Sequence, residues 1–331
     1  MKPPRTIVLS RTDSIGDVVL TLPMAGLIKQ QIHGVRIIFI GRRYTLPVLH
    51  ACTHVDEAVA LEDLGSDPIG TMRSWNADAI VHAFPHRYVA RWAKRAGIRQ
   101  RIGTSHRWWH WTTCNERVAF SRRRSELHEA QLNVKLLTPL GIHRIPSLEE
   151  LAALAALSAP APDASVQALL RTDRRNVILH PGSRGSAVEW GLENFSSLIR
   201  RLDPQQFQCI ITGTAVEAEG YRRALPIDLP HVTDAGGALT LEQLIALIGA
   251  SDALVAASTG PLHITAALGK RAIGIYSSRR PIHPGRWAPI GTNAHALVHD
   301  PDCRECAEGR ECDCIKRISP ERVLEFLERQ P

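Results

Sequence analysis

Nowhere in the 331 residues do apolar side chains run for the roughly 18–20 positions that a membrane-spanning helix needs. No membrane-spanning helix is therefore expected among these residues. The opening residues, Met1-Lys2-Pro3-Pro4-Arg5, carry no apolar segment ahead of the β-branched run at Thr6, so no signal peptide is expected. The seven cysteines are then expected to stay reduced in a cytoplasm. Acid is scarce in one stretch. Between His86 and Arg124 a single carboxylate, Glu116, stands against eleven lysines and arginines, and Trp92, Trp108, Trp109 and Trp111 lie among them.

Elsewhere the composition is ordinary. Hydrophobic content of 44% and charged content of 22% are globular values, and the length suits two domains that each bury a core. Short apolar, β-branched runs alternate with helical patterns, which predicts parallel sheets built from βαβ units. In the first half, strands are expected near Thr6–Ser10, Arg36–Ile40, Ala58–Leu61 and Asp78–His82, and a helix at His128–Leu140. In the second half they are expected near Asn176–His180, Phe207–Thr212, Val232–Thr233, Ala253–Ala256 and Ala272–Tyr276. Between the halves, Gly141 to Asp163 is rich in Ala, Leu and Pro and reads as a linker.

Three strand-to-helix turns carry chemistry. The first is Arg11-Thr12-Asp13-Ser14-Ile15-Gly16-Asp17. Gly16 permits close backbone approach, and Asp17 sits beside the unpaired N–H groups of a helix start. That carboxylate either caps the helix or serves as a base. The second turn is Pro181-Gly182-Ser183-Arg184-Gly185-Ser186, where a hydroxyl, backbone amides and a fork-shaped guanidinium suit a phosphate. The third, Ser258-Thr259-Gly260-Pro261-Leu262-His263, offers hydroxyls and amides at a positive helix end, with Pro261 suited to the first helical position. A capped βα turn is the plain alternative for each.

The order and spacing of Ile15-Gly16-Asp17-Val18, Leu22-Pro23, His180-Pro181-Gly182-Ser183-Arg184 and Ser258-Thr259-Gly260-Pro261-Leu262-His263 resemble glycosyltransferase family 9 from about Thr6 to Arg329. This group includes the ADP-heptose:lipopolysaccharide heptosyltransferases. The resemblance implies an α/β fold of two Rossmann-like domains facing across a cleft, the GT-B architecture. Residues 1–158 would form the acceptor-side domain and residues 159–318 the donor domain, with a helix over 319–331 packing back on the first domain.

It also implies an inverting transfer that requires no metal, from a nucleotide-sugar donor such as ADP-heptose to a lipopolysaccharide core or related surface glycan. Asp17 matches the family's base, and Asp13 is a rival carboxylate on the same loop. Ser183, Arg184, Ser258, Thr259, Gly260 and His263 are expected on the donor. Asp13, Gly16, Arg122, Arg123, His128 and Glu129 are expected on the acceptor side, His128-Glu129 as an acid–base pair or simply as a capped helix start. The Arg/Trp stretch suits a phosphorylated glycolipid at the cytoplasmic face of an inner membrane. A solvated basic face is the alternative, and no motif for nucleic acid accompanies it.

Two positions depart from the heptosyltransferase pattern. Val188 stands where those enzymes have lysine, two residues before the tryptophan matching Trp190, and Ser258 stands where they have aspartate. Arg184 or Ser278-Arg279-Arg280 is expected to restore the lost cation, and His283 or Trp287 to pack on the nucleotide. A protein that kept the fold and binds nucleotide or glycan without turnover is the competing reading. Separately, Cys303, Cys306, Cys312 and Cys314 form C-x2-C-x5-C-x-C. They suit a structural zinc, with His299, Asp302 or Asp313 as substitute ligands; free thiols and disulfides remain the alternatives.

Overall fold

The computed structural model describes residues 4–122, 125–310 and 312–329. The chain divides into two units, Met1–Ser158 and Ala159–Pro331. In the first, the β-branched runs form β1 (Thr6–Ser10), β2 (Arg36–Gly41), β3 (Glu57–Ala60), β4 (Ala79–His82), β5 (Gln100–Thr104) and β6 (Glu116–Val118). They make a parallel sheet ordered β3-β2-β1-β4-β5-β6. The second unit holds β7 (Arg175–His180), β8 (Phe207–Ile211), β9 (Val232–Asp234), β10 (Ala253–Ala257), β11 (Arg271–Tyr276) and β12 (Ala294–Val298). Its parallel sheet, ordered β12-β11-β10-β7-β8-β9, repeats the topology of the first. The predicted α/β, Rossmann-like class is what forms in each unit.

The central strands are covered on both faces, so their sequences are nearly continuous apolar runs. Ile7, Val8 and Leu9 of β1 are fully buried, as are Ile178 and Leu179 of β7. Each such side chain contributes about 1.5–3 kcal/mol. The strands β5, β6 and β12 escape sequence detection. Gln100-Arg101 and Glu116-Arg117 place charge and amide on sheet positions that are half-buried or exposed, and β12 is likewise only partly covered. Backbone pairing with the neighbouring strand decides them, not a side-chain pattern.

In each sheet the chain order reverses beside its first strand, between β1 and β4 and between β7 and β10. Open α/β sheets bind ligands beyond the carboxyl ends of the strands at such a switch point. The Arg11–Asp17 loop follows β1, the Pro181 turn follows β7, and the Ser258 turn follows β10. All three sequence-selected turns therefore occupy switch points.

One expectation is corrected. Much of the Gly141–Asp163 stretch is packed rather than bare linker. Ser147 caps a helix over Leu148–Ala153 with Glu150 reciprocating, Leu151 is fully buried, and Leu157 bridges Cys52. The C-terminal helix, Pro320–Glu328, packs on the core of the second unit. Its Val323 and Leu327 join the core of Trp190, Phe195 and Leu198. Trp190 Nε1 donates to the Ile318 carbonyl at 2.7 Å, and Arg175 donates to the Leu327 carbonyl at 2.8 Å. The apolar stripe is satisfied locally, and an arginine meets the negative helix end.

Candidate functional site

Ser10 ends β1, and Ser14 is the N-cap of the helix Ile15–Val19. The Ser14 hydroxyl accepts from the Asp17 amide and donates to Asp17 Oδ2 at 2.5 Å. Capping therefore falls to Ser14, and the Asp17 carboxylate is left for another partner. That partner is Arg11, whose side chain is only 4% exposed against 17% for Asp17. Arg11 Nε also donates to Asp13 Oδ1 at 2.8 Å, and its Nη1 donates to Glu129 Oε1 and Asn133 Oδ1, both at 3.2 Å.

Burial pulls the Arg11 guanidinium down, but Asp17, Asp13 and Glu129 reverse this and raise it, so it remains a cation. For Asp13, burial pushes the carboxyl up to about 6 against the pull of Arg11. The two carboxylates sit in one electrostatic unit with a buried arginine at its centre. Gly16 is buried in the same turn.

His128 and Glu129 do not form an exposed acid–base pair. His128 is the buried N-cap of the helix Glu129–Lys135 and accepts from the Ala130 amide. Glu129, with 1% side-chain exposure, accepts from Arg122 Nε at 2.8 Å as well as from Arg11. A carboxylate taken out of water needs cations around it, and these two supply them. Asn133 completes the network. Its Oδ1 accepts from Arg11 and Arg122, while its Nδ2 donates to the Leu20 carbonyl and Thr21 Oγ1 at 3.2 and 3.1 Å. Arg123 lies outside the described residues.

In the second unit, Ser183 is buried against Glu189. Its amide and its hydroxyl each donate to Glu189 Oε1 at 2.8 Å. The turn thus presents two convergent donors to an anionic oxygen, occupied here by a carboxylate where sequence reading expects phosphate. Arg184 is exposed and left-handed, with φ of 51°. A Cβ at Gly182 would lie 2.3 Å from Glu217 Oε1, so glycine is what lets that carboxylate approach the turn. Among the described residues Glu217 Oε1 has no hydrogen-bond partner, while its Oε2 accepts from the Thr214 amide at 2.8 Å.

Thr259 is the N-cap of the helix Gly260–Ala267, which places Pro261 second rather than first. Its side chain makes no capping bond, and among the described residues its buried Oγ1 has no hydrogen-bond partner. A buried hydroxyl beside the amides of a helix start suits an anion. His263 is buried in the first turn of the same helix. Ser258 lies beside the Tyr276 hydroxyl. Val188 is partly buried against the core of Trp190, so it packs rather than contacts. Trp287 is turned back on its own loop, donating to the Pro281 carbonyl at 3.0 Å, and His283 caps the helix Pro284–Trp287.

The basic stretch presents exposed rings. Trp108 and Trp111 are 62% and 61% exposed, with Arg87 and Arg117 over them at 5.1 and 4.7 Å. Trp92 instead packs on the first unit's core. Among the described residues no helix is long and apolar enough to cross a membrane. The sulfurs of Cys303, Cys306, Cys312 and Cys314 all lie within 4.8 Å of one another, which suits a metal ion; His299, Asp302 and Asp313 are not in the group. The sulfur separations of 3.5 Å (Cys303–Cys312) and 3.1 Å (Cys312–Cys314) are too long for disulfides.

Sequence reasoning missed Arg11, Asn133, Glu189 and Glu217. An arginine directly after an apolar strand, two and six residues ahead of carboxylates, is a local signal for the first. Glu189 lies only six residues beyond Ser183, but nothing local shows its side chain turning back on that residue, and Asn133 and Glu217 come from distant positions.

A family profile described as glycosyltransferase family 9 (heptosyltransferase) matches residues 71–315. A candidate glycosyltransferase of Haemophilus influenzae is 25% identical over 299 residues, 86% of each chain. Lipopolysaccharide heptosyltransferase 2 of Escherichia coli is 26% identical over 168 residues, 48% of this chain and 47% of that one. The solved structure of E. coli ADP-heptose lps heptosyltransferase II superposes with a TM-score of 0.76 at 19% identity, covering 98% of this chain and 97% of the other. The profile spans well over half of the sequence and contains both second-unit turns at the sheet switch point: the chain belongs to glycosyltransferase family 9, the heptosyltransferase family.

Proposed function

We propose that this chain is an inverting glycosyltransferase that moves a sugar from a nucleoside-diphosphate donor to a lipopolysaccharide-core or related surface-glycan acceptor. The observation that carries the reading is Asp17. It is a partly exposed carboxylate at the end of the central strand, relieved of capping by Ser14 and aimed by a buried arginine. Inverting transfer needs one base, which takes the proton of the acceptor hydroxyl as its oxygen attacks the anomeric carbon. As that bond forms, the bond from the anomeric carbon to the diphosphate oxygen breaks and the nucleotide leaves with the electron pair.

The leaving diphosphate needs positive potential already in place. Arg184, the Thr259 hydroxyl and the amide of Gly260 supply it, with no metal in the transfer step; the Ser183 amide and hydroxyl join them when Glu189 gives way to the diphosphate. Arg184 takes over the cationic role that Val188 cannot fill. Ser258 leaves the donor sugar without the aspartate found in heptosyltransferases. ADP-heptose is the donor suggested by the relatives, and the change at Ser258 bears on the sugar rather than the diphosphate. His263 holds the third turn in shape. Asp13 and Gly16 shape the acceptor side, while Arg122 and Glu129 act there through Arg11. Trp108 and Trp111 with their arginines suit an anionic lipid surface, where the chain would work peripherally at the cytoplasmic face of the inner membrane. The one metal we assign is structural, on the four clustered cysteines, and zinc suits it.

Asp17→Asn tests the reading, because the amide keeps the shape and cannot accept the proton. The expected result is a rate loss of about 10²–10⁴-fold with nucleotide affinity retained. Comparable rates would refute Asp17 as the base. A wild-type protein that binds ADP or ADP-sugar and transfers nothing, to any lipopolysaccharide-core acceptor, would mean a binding protein on this fold.

A further inference from the structure

The four cysteines lie on a short excursion between β12 and the C-terminal helix, and the excursion is tied at both ends to the donor side of the second unit. Cys303, Cys306 and Cys314 are buried, although Arg304, Glu305 and Glu308 between them are exposed. They form a small cluster of their own, with Cys312 packed on it. Four sulfurs alone are a poor hydrophobic core. A tetrahedral tetrathiolate, with metal–sulfur bonds of about 2.3 Å, spaces its sulfurs about 3.8 Å apart. The observed separations, 3.1 and 3.5 Å for two pairs with all four sulfurs inside 4.8 Å, bracket that edge.

One end of the tie is Cys306, whose sulfur is 3.5 Å from Ser277 Oγ. Ser277 is buried directly after β11, and its hydroxyl accepts from the Arg279 amide at 3.1 Å. The preceding residue, Tyr276, lies beside Ser258 and donates to the Trp287 carbonyl at 2.6 Å. The following residue, Ser278, has a buried Oγ with no hydrogen-bond partner among the described residues. The other end begins at Cys314. It opens the turn Cys314–Arg317, whose Lys316 carbonyl accepts from Asn194 at 2.8 Å, and Ile318 accepts from Trp190 at 2.7 Å. Trp190 closes the segment that carries Ser183, Arg184 and Glu189.

We propose that Cys303, Cys306, Cys312 and Cys314 bind one thiophilic metal ion, zinc or iron, and that this ion tethers the loop after β11, so that donor affinity depends on metal occupancy. The donor part of this rests on the glycosyltransferase reading; the tether does not. Each thiol releases its proton to solvent as it becomes a thiolate ligand, and no electron transfer is involved. With the ion bound, Cys306 is fixed and so is Ser277. Without it, the excursion has no core, and Ser277, Tyr276 and the Ser258 turn lose a support.

The test uses the full chain, with metal content by elemental analysis and visible absorption, since an iron tetrathiolate is coloured and a zinc one is not. The metal is then stripped with a mercurial reagent and chelator. The expected result is about one metal per chain. Stripping should speed hydrogen exchange in peptides covering residues 277–287 and weaken ADP binding about tenfold, a common coupling size, with both restored by adding the metal back. Only trace metal after growth with zinc or iron, or unchanged exchange after stripping, overturns the proposal.

If the stripped chain unfolds, Ser277→Ala decides the matter. It should keep the metal and still show faster exchange in the same peptides; wild-type exchange there overturns the tether. Metal-dependent exchange in a loaded protein that binds no nucleotide or nucleotide sugar counts against the glycosyltransferase reading and leaves the tether standing.

Discussion

Replacing Thr259 with valine sets stability and binding in opposition. Thr259 is 6% exposed, its Oγ1 has no hydrogen-bond partner among the described residues, and it makes no capping bond to its helix. Its backbone is extended, with φ of −128° and ψ of 164°, a conformation valine adopts readily. An orphaned buried hydroxyl costs about 1–3 kcal/mol. Valine removes that cost while keeping the shape, so the variant should be as stable as the parent or more so by about 1 kcal/mol. In the loaded protein the sign reverses. A hydrogen bond to a charged phosphate is worth about 1.5–3 kcal/mol, which corresponds to roughly a 10–150-fold loss of affinity. Urea denaturation without ligand reads the first effect, and calorimetric titration with ADP reads the second. A Thr259→Val protein that is clearly less stable than the parent would mean the hydroxyl has a structural partner. One that binds ADP as the parent does would remove Thr259 from the donor site.

Glu129→Ala leaves Arg11 and Arg122 facing each other in a buried network, and should cost the first unit about 3–5 kcal/mol. Urea melts of Glu129→Ala and Glu129→Gln measure it, and a loss below about 1 kcal/mol would show the network to be worth no more than a surface pair. Asp13 titrates at about 6 in the folded chain, against an ordinary 3.8, because burial outweighs the pull of Arg11. Between those values the native state holds a proton that the unfolded chain has released. This group's contribution therefore falls as pH rises through that window, and Asp13→Asn should flatten the stability profile there. Parallel profiles for parent and variant, from urea midpoints at several pH values, would contradict the assignment.

Much of the architecture was legible because parallel strands buried on both faces must be written as apolar runs. The strands β1, β2, β4, β7, β8, β10 and β11 announce themselves that way, and the partly buried edge strands β3 and β9 through their β-branched residues. The strands β5, β6 and β12 do not, since they are held by backbone pairing that any side chain tolerates. The turns were legible for a related reason. A glycine, a hydroxyl residue and a helix start in succession leave donors unpaired, and the sequence shows that succession at residues 181–186 and 258–263. What those donors face is another matter. Glu189 on Ser183 and Glu217 beside Gly182 were invisible before folding.

The His128-Glu129 pair shows the limit most clearly. At the head of a helix, an exposed acid–base pair and a capped start are written with the same letters. Folding buries both side chains and turns Glu129 toward Arg11, 118 residues away in sequence. The C-terminal helix is similar: its apolar stripe predicts that it packs somewhere, and only Trp190 and Arg175 determine where.

The sequence by itself determined the family, the two parallel sheets, the turns at their switch points and the four-cysteine spacing. These depend on local pattern, namely strand burial, turn chemistry and ligand separation along the chain. The tertiary structure alone decided that Ser14 rather than Asp17 caps the first helix, that Arg11 gathers three carboxylates, that Thr259 keeps an unmet hydroxyl, and that the cysteines converge behind Ser277. Each of these is a balance of burial against charge or hydrogen bonding, and that balance exists only once distant residues have been brought out of water together.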